Sequence, residues 1–199
     1  MDEKRILGAV FSLELGEHKP TLRQISERLE LGVSDASRRI QALSKRGLVR
    51  LSGGRVSITP KGRERIKVIF IGGGFEVIHR GHIHTIIKAK SLGDVLVVVV
   101  ARDSTIRNRK KREPISDERE RVMLLSSLRQ VDAAVLGVEG DIYDTLERVK
   151  PDVVALGYDQ HHMESDIERE AKARGIRLKV VRLDSPNPRL KTSLLLKEL

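Results

Sequence analysis

The stretch Gly72-Gly73-Gly74-Phe75-Glu76-Val77-Ile78-His79-Arg80-Gly81-His82 decides how this chain is read. It follows a short apolar run, Lys67-Val68-Ile69-Phe70-Ile71, and leads into residues 83–92, whose pattern predicts a helix. Strand, glycine turn and helix N-terminus is an arrangement in which unpaired backbone N–H groups converge on phosphate. Glycines let a ligand approach the backbone closely. His79 and His82, three residues apart with Gly81 between them, stand where the phosphates of such a ligand would lie.

Outward from this stretch the chain alternates strand and helix. Strands are predicted over 67–71, 94–101, 132–137, 152–157 and 176–182, and helices over 82–92, 117–129, 141–149, 163–174 and 191–198. Val95-Leu96-Val97-Val98-Val99-Val100 is the unbroken branched run expected of a strand buried on both faces. The alternation predicts an α/β domain with a Rossmann-like, parallel five-stranded sheet. In such sheets ligands lie beyond the carboxyl ends of the strands. His79, Asp103, Glu139, Tyr158 and Asp159 all follow predicted strand ends.

The first third of the chain reads differently. Apolar positions at Ile6, Leu7, Val10, Phe11 and Leu13 predict one helix. Thr21 is placed to cap a second, with Leu22, Ile25 and Leu29 as its buried stripe, and Ser34 or Asp35 to cap a third containing Ile40 and Leu43. Alternating apolar residues around Gly53-Gly54 predict a hairpin over 48–58. Three helices and a two-stranded wing make a winged helix-turn-helix over 1–62. A short charged joint at 61–65 then leads to a second domain at 67–199. If the small domain binds duplex DNA, Ser34, Ser37, Arg38 and Gln41 on the third helix enter the major groove, and Arg50 and Arg55 on the wing meet phosphate or the minor groove. A dimerisation or docking domain with a solvated basic face is the alternative.

Composition bounds the rest. The 199 residues carry a formal net charge of +10, and residues 1–66 hold 14 Lys+Arg against 8 Asp+Glu. That favours polyanionic partners, nucleic acid or nucleotides. No cysteine is present, which excludes disulfides, thiolate metal sites and cysteine nucleophiles. No secretory signal is legible and the longest apolar run is too short to span a bilayer, so the expectation is a cytoplasmic protein with no membrane partner.

Gly73-x-Phe75-Glu76-x-x-His79-x-Gly81-His82 resembles the G-x-F-D-x-x-H-x-G-H signature of the cytidylyltransferase-like nucleotidyltransferases. With Val100-Ala101-Arg102-Asp103, Leu136-Gly137-x-Glu139-Gly140-Asp141 and Leu156-Gly157-Tyr158-Asp159-Gln160, residues 67–199 resemble the archaeal FAD synthases. The resemblance implies transfer of AMP from ATP to FMN with release of pyrophosphate, with Mg2+ accompanying ATP and no metal held by protein ligands. CTP with glycerol 3-phosphate is the neighbouring reaction in the superfamily. A nucleotide- or flavin-sensing transcriptional regulator without turnover is a further alternative.

The same resemblance makes His79, His82 and Arg121 catalytic. It makes Gly73, Gly74, Phe75, His79, His82, Gly157, Tyr158, Asp159, Thr192 and Ser193 nucleotide-binding. Asp103 is a candidate for orienting the acceptor or metal, or an ordinary helix cap. The basic tract Arg107-Asn108-Arg109-Lys110-Lys111-Arg112 reads as a phosphate clamp or as a solvated loop. Tyr158 could equally be a packed aromatic, and His84, outside the motif, reads as structural. Gly74 stands where the family has Thr, Glu76 where it has Asp, and Arg80 where Pro is common. Lys191 and Leu194 replace Ile and Thr near the C-terminus. Neither histidine is replaced. The oligomeric state, monomer or homodimer, stays open.

Overall fold

The computed structural model describes residues 2–16, 18–160 and 162–185. The chain divides into two compact units, residues 1–67 and 68–199.

In the N-terminal unit, α1 (Glu3–Glu14) starts at Asp2, whose side chain accepts the Lys4 N–H. α2 (Leu22–Leu29) carries a full capping box: Thr21 accepts the Gln24 N–H and the Gln24 side chain accepts the Thr21 N–H. α3 (Val33–Lys45) departs from expectation at its start, because its N-cap is Gly32 and no side chain caps it. Ser34 and Asp35 therefore lie inside the helix, and Asp35 pairs with Arg38 instead.

Next, β1 (Val49–Ser52) and β2 (Arg55–Ile58) form an antiparallel hairpin in the register Val49↔Ile58 and Leu51↔Val56. Gly53 and Gly54 have φ of 56° and 73°, the left-handed pair that a two-residue hairpin turn requires. A short helix that the pattern did not predict, α4 (Pro60–Arg63), closes the unit under a Thr59 cap. A Cβ on Gly62 would stand 2.0 Å from the Leu48 carbonyl oxygen, so only glycine fits there. Ile6, Leu7, Val10, Ile25, Leu29, Ile40, Leu43 and Val56 form the buried interior.

The C-terminal unit runs β3 (Val68–Gly73), α5 (Arg80–Lys90), β4 (Val95–Val100), α6 (Asp103–Lys110), α7 (Glu118–Ser126), β5 (Ala133–Leu136), α8 (Ile142–Val149), β6 (Val153–Leu156), α9 (Glu164–Ala173) and β7 (Lys179–Arg182). All strands pair in parallel in the order β5-β4-β3-β6-β7. The expected α/β five-stranded parallel sheet is therefore present. Strand order reverses at β3, which leaves a crevice beyond its carboxyl end between β4 and β6.

Side chains alternate across the sheet. Ile69, Ile71, Leu96, Val98, Val100, Val153 and Ala155 join Ile86, Ala89 and Leu125 in one buried cluster. α6 was not predicted, since only Ile106 in it is buried. The expected helix over 191–198, with Thr192 and Ser193, lies outside the described residues. Among the described residues, no helix is long and apolar enough to cross a membrane.

Candidate active site

At the crevice, β3 ends in Gly72 and Gly73, and the turn runs through Gly74 to a buried Phe75 with φ of 52°. A Cβ on Gly73 would meet the Phe75 ring at 3.0 Å, so the glycine lets that ring fold back beneath the turn. At Gly74 an added Cβ would find its nearest neighbours at 3.8–3.9 Å, and nothing steric demands glycine there.

His79 is the N-cap of α5, and its Nδ1 accepts the Gly81 N–H at 3.2 Å. With Nδ1 used as acceptor, the neutral ring carries its proton on Nε2 and presents it as a donor. The His82 ring stacks on His79 at 3.9 Å between centroids and tilts against Phe75 at 5.3 Å. Burial lowers the pKa of His79, while the Asp159 charge works the other way. His82 is pushed down to about 4 by burial first and then by His79, against opposing effects of the Val77 backbone and Asp159. Both rings are neutral near pH 7 in the free protein. A bound polyphosphate would pull both upward.

The loop after β6 closes the other side of the crevice. The Gln160 side chain accepts the Gly157 N–H at 3.1 Å and donates to the Gly72 carbonyl at 2.8 Å, which ties this loop to the end of β3. Arg182 secures the loop from β7, donating to the carbonyls of Gly157, Gln160 and His162. Asp159 is exposed and close enough to raise both histidines. Tyr158 is half-buried, and burial raises its phenol pKa. Gln160 ends the quoted stretch Leu156-Gly157-Tyr158-Asp159-Gln160, but the sequence assigns it no role.

Arg121 is 1% exposed and donates to the carbonyls of Ser116 (3.1 Å), Gly74 (2.6 Å) and Ala101 (2.9 Å) and to Asp103 Oδ1 (2.5 Å). Four of its five N–H groups are thereby held by protein, so the geometry makes it a strut between the ends of β3 and β4. The expected contact of this arginine with phosphate is left to its one remaining N–H. Asp103 opens α6, and its carboxylate is turned to Arg121 while its own N–H is taken by Glu118.

The basic tract is also not a solvated loop for most of its length. Arg107 and Lys110 belong to α6; Arg107 pairs with Glu113, while Lys110 and Arg112 pair with Glu76. The Glu76 side chain is fully buried and its pKa is held down to about 2: burial pushes upward, and the Arg112 and Lys110 hydrogen bonds outweigh it. His84 faces Asp184 at 3.5 Å, apart from these groups.

Beside the glycine turn lies a cavity of about 310 Å³. Phe70, Val99, Ile106, Ile142, Val154 and Leu156 give it an apolar floor, and Arg109, Lys110, Asp141 and Gln160 stand among its polar groups. The histidine pair is not part of its lining, which includes Gly72, Gly73 and Gly74 of the turn that leads to the histidines. Among the described residues no three His, Asp or Glu side chains converge on a point that could hold a metal.

A parallel sheet reversing at β3, with a glycine turn and helix N-terminus at the switch point, defines an α/β nucleotide-binding protein. The chain belongs to the cytidylyltransferase-like family, whose pattern matches residues 70–196, and it is a nucleotidyltransferase. It is 48% identical over 121 residues to the FAD synthase of Thermoplasma volcanium, covering 61% of this chain and 84% of that protein. It is 51% identical over 111 residues to the FAD synthase of Aciduliprofundum boonei, covering 56% and 74%. Its fold matches the crystal structure of a lipopolysaccharide core biosynthesis protein from Thermoplasma volcanium GSS1 with a TM-score of 0.58 at 46% identity, over 60% of this chain and 98% of that one. Residues 1–69 lie outside the family match.

Proposed function

We propose that the C-terminal unit is an FMN adenylyltransferase, joining FMN and ATP to give FAD and pyrophosphate. The observation that carries the acceptor is the cavity beside the glycine turn. Its volume is at the lower end of small-molecule sites and its floor is apolar, which suits a flat ring system. Glycerol 3-phosphate has no apolar surface to fill it.

In the reaction an oxygen of the acceptor's phosphate forms a bond to the α-phosphorus. The bond from that phosphorus to the bridging oxygen breaks, and pyrophosphate leaves with the electron pair. Little covalent work falls to the protein, so catalysis is positioning and charge stabilisation. His79 and His82 donate to the phosphoryl oxygens as neutral imidazoles, with the N-terminus of α5 behind them. Gly73, Gly74 and Phe75 form the turn under the phosphates, and Gly157, Tyr158 and Asp159 the loop beside the nucleotide. Arg121 and Asp103 keep the two strand ends in register. A divalent cation, which the family implies, would come with the triphosphate and neutralise its charge.

The test is a panel of ATP and CTP against FMN and glycerol 3-phosphate, scored by pyrophosphate release. Turnover confined to ATP with FMN is expected. Turnover confined to CTP with glycerol 3-phosphate overturns the flavin reading. Binding of both substrates without release of pyrophosphate favours a sensor.

For the N-terminal unit we propose a winged helix-turn-helix that binds duplex DNA. Three helices followed by a hairpin, and the basic balance of residues 1–66, support this reading. Ser34, Arg38 and Gln41 are exposed on α3 and Ser37 is half-buried. Arg50 is exposed on the wing, whereas Arg55 already donates to the Lys19 carbonyl at 2.7 Å. Salt-dependent binding to duplex DNA, weakened by Arg38→Ala and Arg50→Ala, is expected. Binding unaffected by both substitutions refutes it.

A further inference from the structure

Most polar side chains in the lining of the cavity are tied to the protein. Arg102 is held by Glu118 and the Gly137 carbonyl, Lys110 by Glu76, and Gln160 by the Gly157 N–H and the Gly72 carbonyl. Thr145, on α8, is different. It lines the same cavity, it is 2% exposed, and its hydroxyl oxygen accepts the Val138 N–H at 2.9 Å. A hydroxyl that accepts still has a proton to give, and among the described residues no acceptor takes it. The usual outlet for a threonine in a helix is the carbonyl four residues back. Thr85 on α5 uses it, donating to Gly81 at 3.1 Å, and Thr145 has no such bond to Asp141.

The surroundings leave that proton to an occupant of the cavity. Gly137, in the same lining, puts no side chain beside the Thr145 oxygen; a Cβ there would stand 3.7 Å from it. Thr105 also lines the cavity, but it is only half-buried, so water can serve its hydroxyl. A buried donor above an apolar floor discriminates between ring systems. A ring with an acceptor on that edge completes the hydrogen bond, whereas a ring presenting only C–H there leaves the hydroxyl buried and unpaired. Isoalloxazine has the required asymmetry: two carbonyls at one end and two methyl groups at the other.

We propose that Thr145 donates to a ring carbonyl of the flavin and so sets which edge of the ring enters the cavity. The flat face lies on the apolar floor and the carbonyl edge meets α8. This deepens the flavin reading and rests on it.

The experiment titrates the full-length protein with FMN, without ATP, by quenching of flavin fluorescence, and records the infrared carbonyl bands of the bound flavin. Thr145→Val keeps the shape and removes the donor, and it should weaken FMN binding by about three- to tenfold, the scale of one neutral hydrogen bond. One of the two ring carbonyl bands should move to higher frequency, and KM for ATP should stay within about twofold. Thr145→Ser keeps the hydroxyl, so it should hold FMN affinity within about twofold and leave both bands in place. Thr145→Val also strips the Val138 N–H of its acceptor, and the carbonyl band is the readout that a loosened loop alone does not move. An unchanged FMN affinity, a loss of affinity with both bands unmoved, or an equal loss for ATP and FMN overturns the proposal. If Thr145→Val does not fold, the unaltered protein decides with 2-thio-FMN and 4-thio-FMN, in which sulfur, the poorer acceptor, replaces one ring oxygen. One analogue should then bind at least about threefold more weakly than FMN, and equal binding of all three overturns the proposal. A protein that binds none of these flavins overturns the flavin reading itself.

Discussion

Replacing Arg121 with methionine separates the two roles this arginine could have. The side chain is 1% exposed, and methionine fills much of its volume without its donors. The substitution strips the Gly74, Ala101 and Ser116 carbonyls of their partner and leaves the Asp103 carboxylate, 17% exposed, without its cation. Breaking a buried ion pair from one side costs about 3–5 kcal/mol, and the partial exposure of Asp103 points to the lower end, about 3. With a urea slope of about 1–3 kcal/mol per molar, the unfolding midpoint should fall by about 1–3 M. The assay can be read on the full chain: its two tyrosines, Tyr143 and Tyr158, both lie in the C-terminal unit, and it has no tryptophan, so tyrosine fluorescence reports that unit alone. An arginine that mainly contacts phosphate predicts the opposite pattern, an unchanged midpoint with a raised KM for ATP. That pattern would refute the strut.

Further outcomes follow from the same geometry. The folded-state pKa of Glu76, about 2, lies below its ordinary 4.5, so its stabilisation is fully present above about pH 4.5 and is lost as pH falls toward 2. The shift alone is worth about 3 kcal/mol, and the exposure of Lys110 and Arg112 (44% and 36%) screens it to about 1–2. The urea midpoints of Glu76→Gln and the unaltered protein should thus converge between pH 7 and pH 3; a gap of constant size contradicts this. The His82 ring should stay neutral at pH 6 and titrate near 4 by NMR, its contribution to stability present above 6.5 and lost on acidification toward 4; a midpoint above 6.5 would overturn the burial argument. Gly74→Thr should change stability by no more than about 0.5 kcal/mol, since its Cβ meets only ordinary contacts; a loss above about 2 kcal/mol would show a backbone need for glycine. Arg50→Ala should lower the salt slope of DNA binding by about one, and an unchanged slope would remove Arg50 from the phosphate contacts.

What could be read in the sequence follows the range of the forces involved. The β3 run, its glycines and the branched β4 run are local patterns, and the parallel sheet follows from their alternation with helices. α6 is hidden because Asp103-Ser104-Thr105-Ile106-Arg107-Asn108-Arg109-Lys110 has one buried residue and no apolar periodicity; its place is set by Ile106 and by ion pairs reaching across the turn. Arg121 reads from the resemblance as a catalytic arginine, and its bonds to the Ala101 and Gly74 carbonyls are not legible because these lie 20 and 47 positions away and meet only when β3 and β4 pair. The bond that Gln160 makes is not legible for the same reason: its partner at Gly72 is 88 residues distant. Glu76 read as a departure from a motif, whereas in the fold it is the anion around which the end of α6 is arranged. The start of α3 failed on local chemistry, since Gly32 took the N-cap with good helix cappers directly after it.

The central claim is that the glycine turn from Gly72 to Gly74, with His79 and His82, transfers AMP to FMN. The most direct measurement is to incubate the full-length protein with FMN, ATP and Mg2+ and quantify FAD and pyrophosphate together, beside His82→Ala at matched stability. FAD and pyrophosphate rising in equal amounts, with the rate reduced at least about tenfold in His82→Ala, is the result expected. No FAD from the intact protein, or an undiminished rate in His82→Ala, would contradict it.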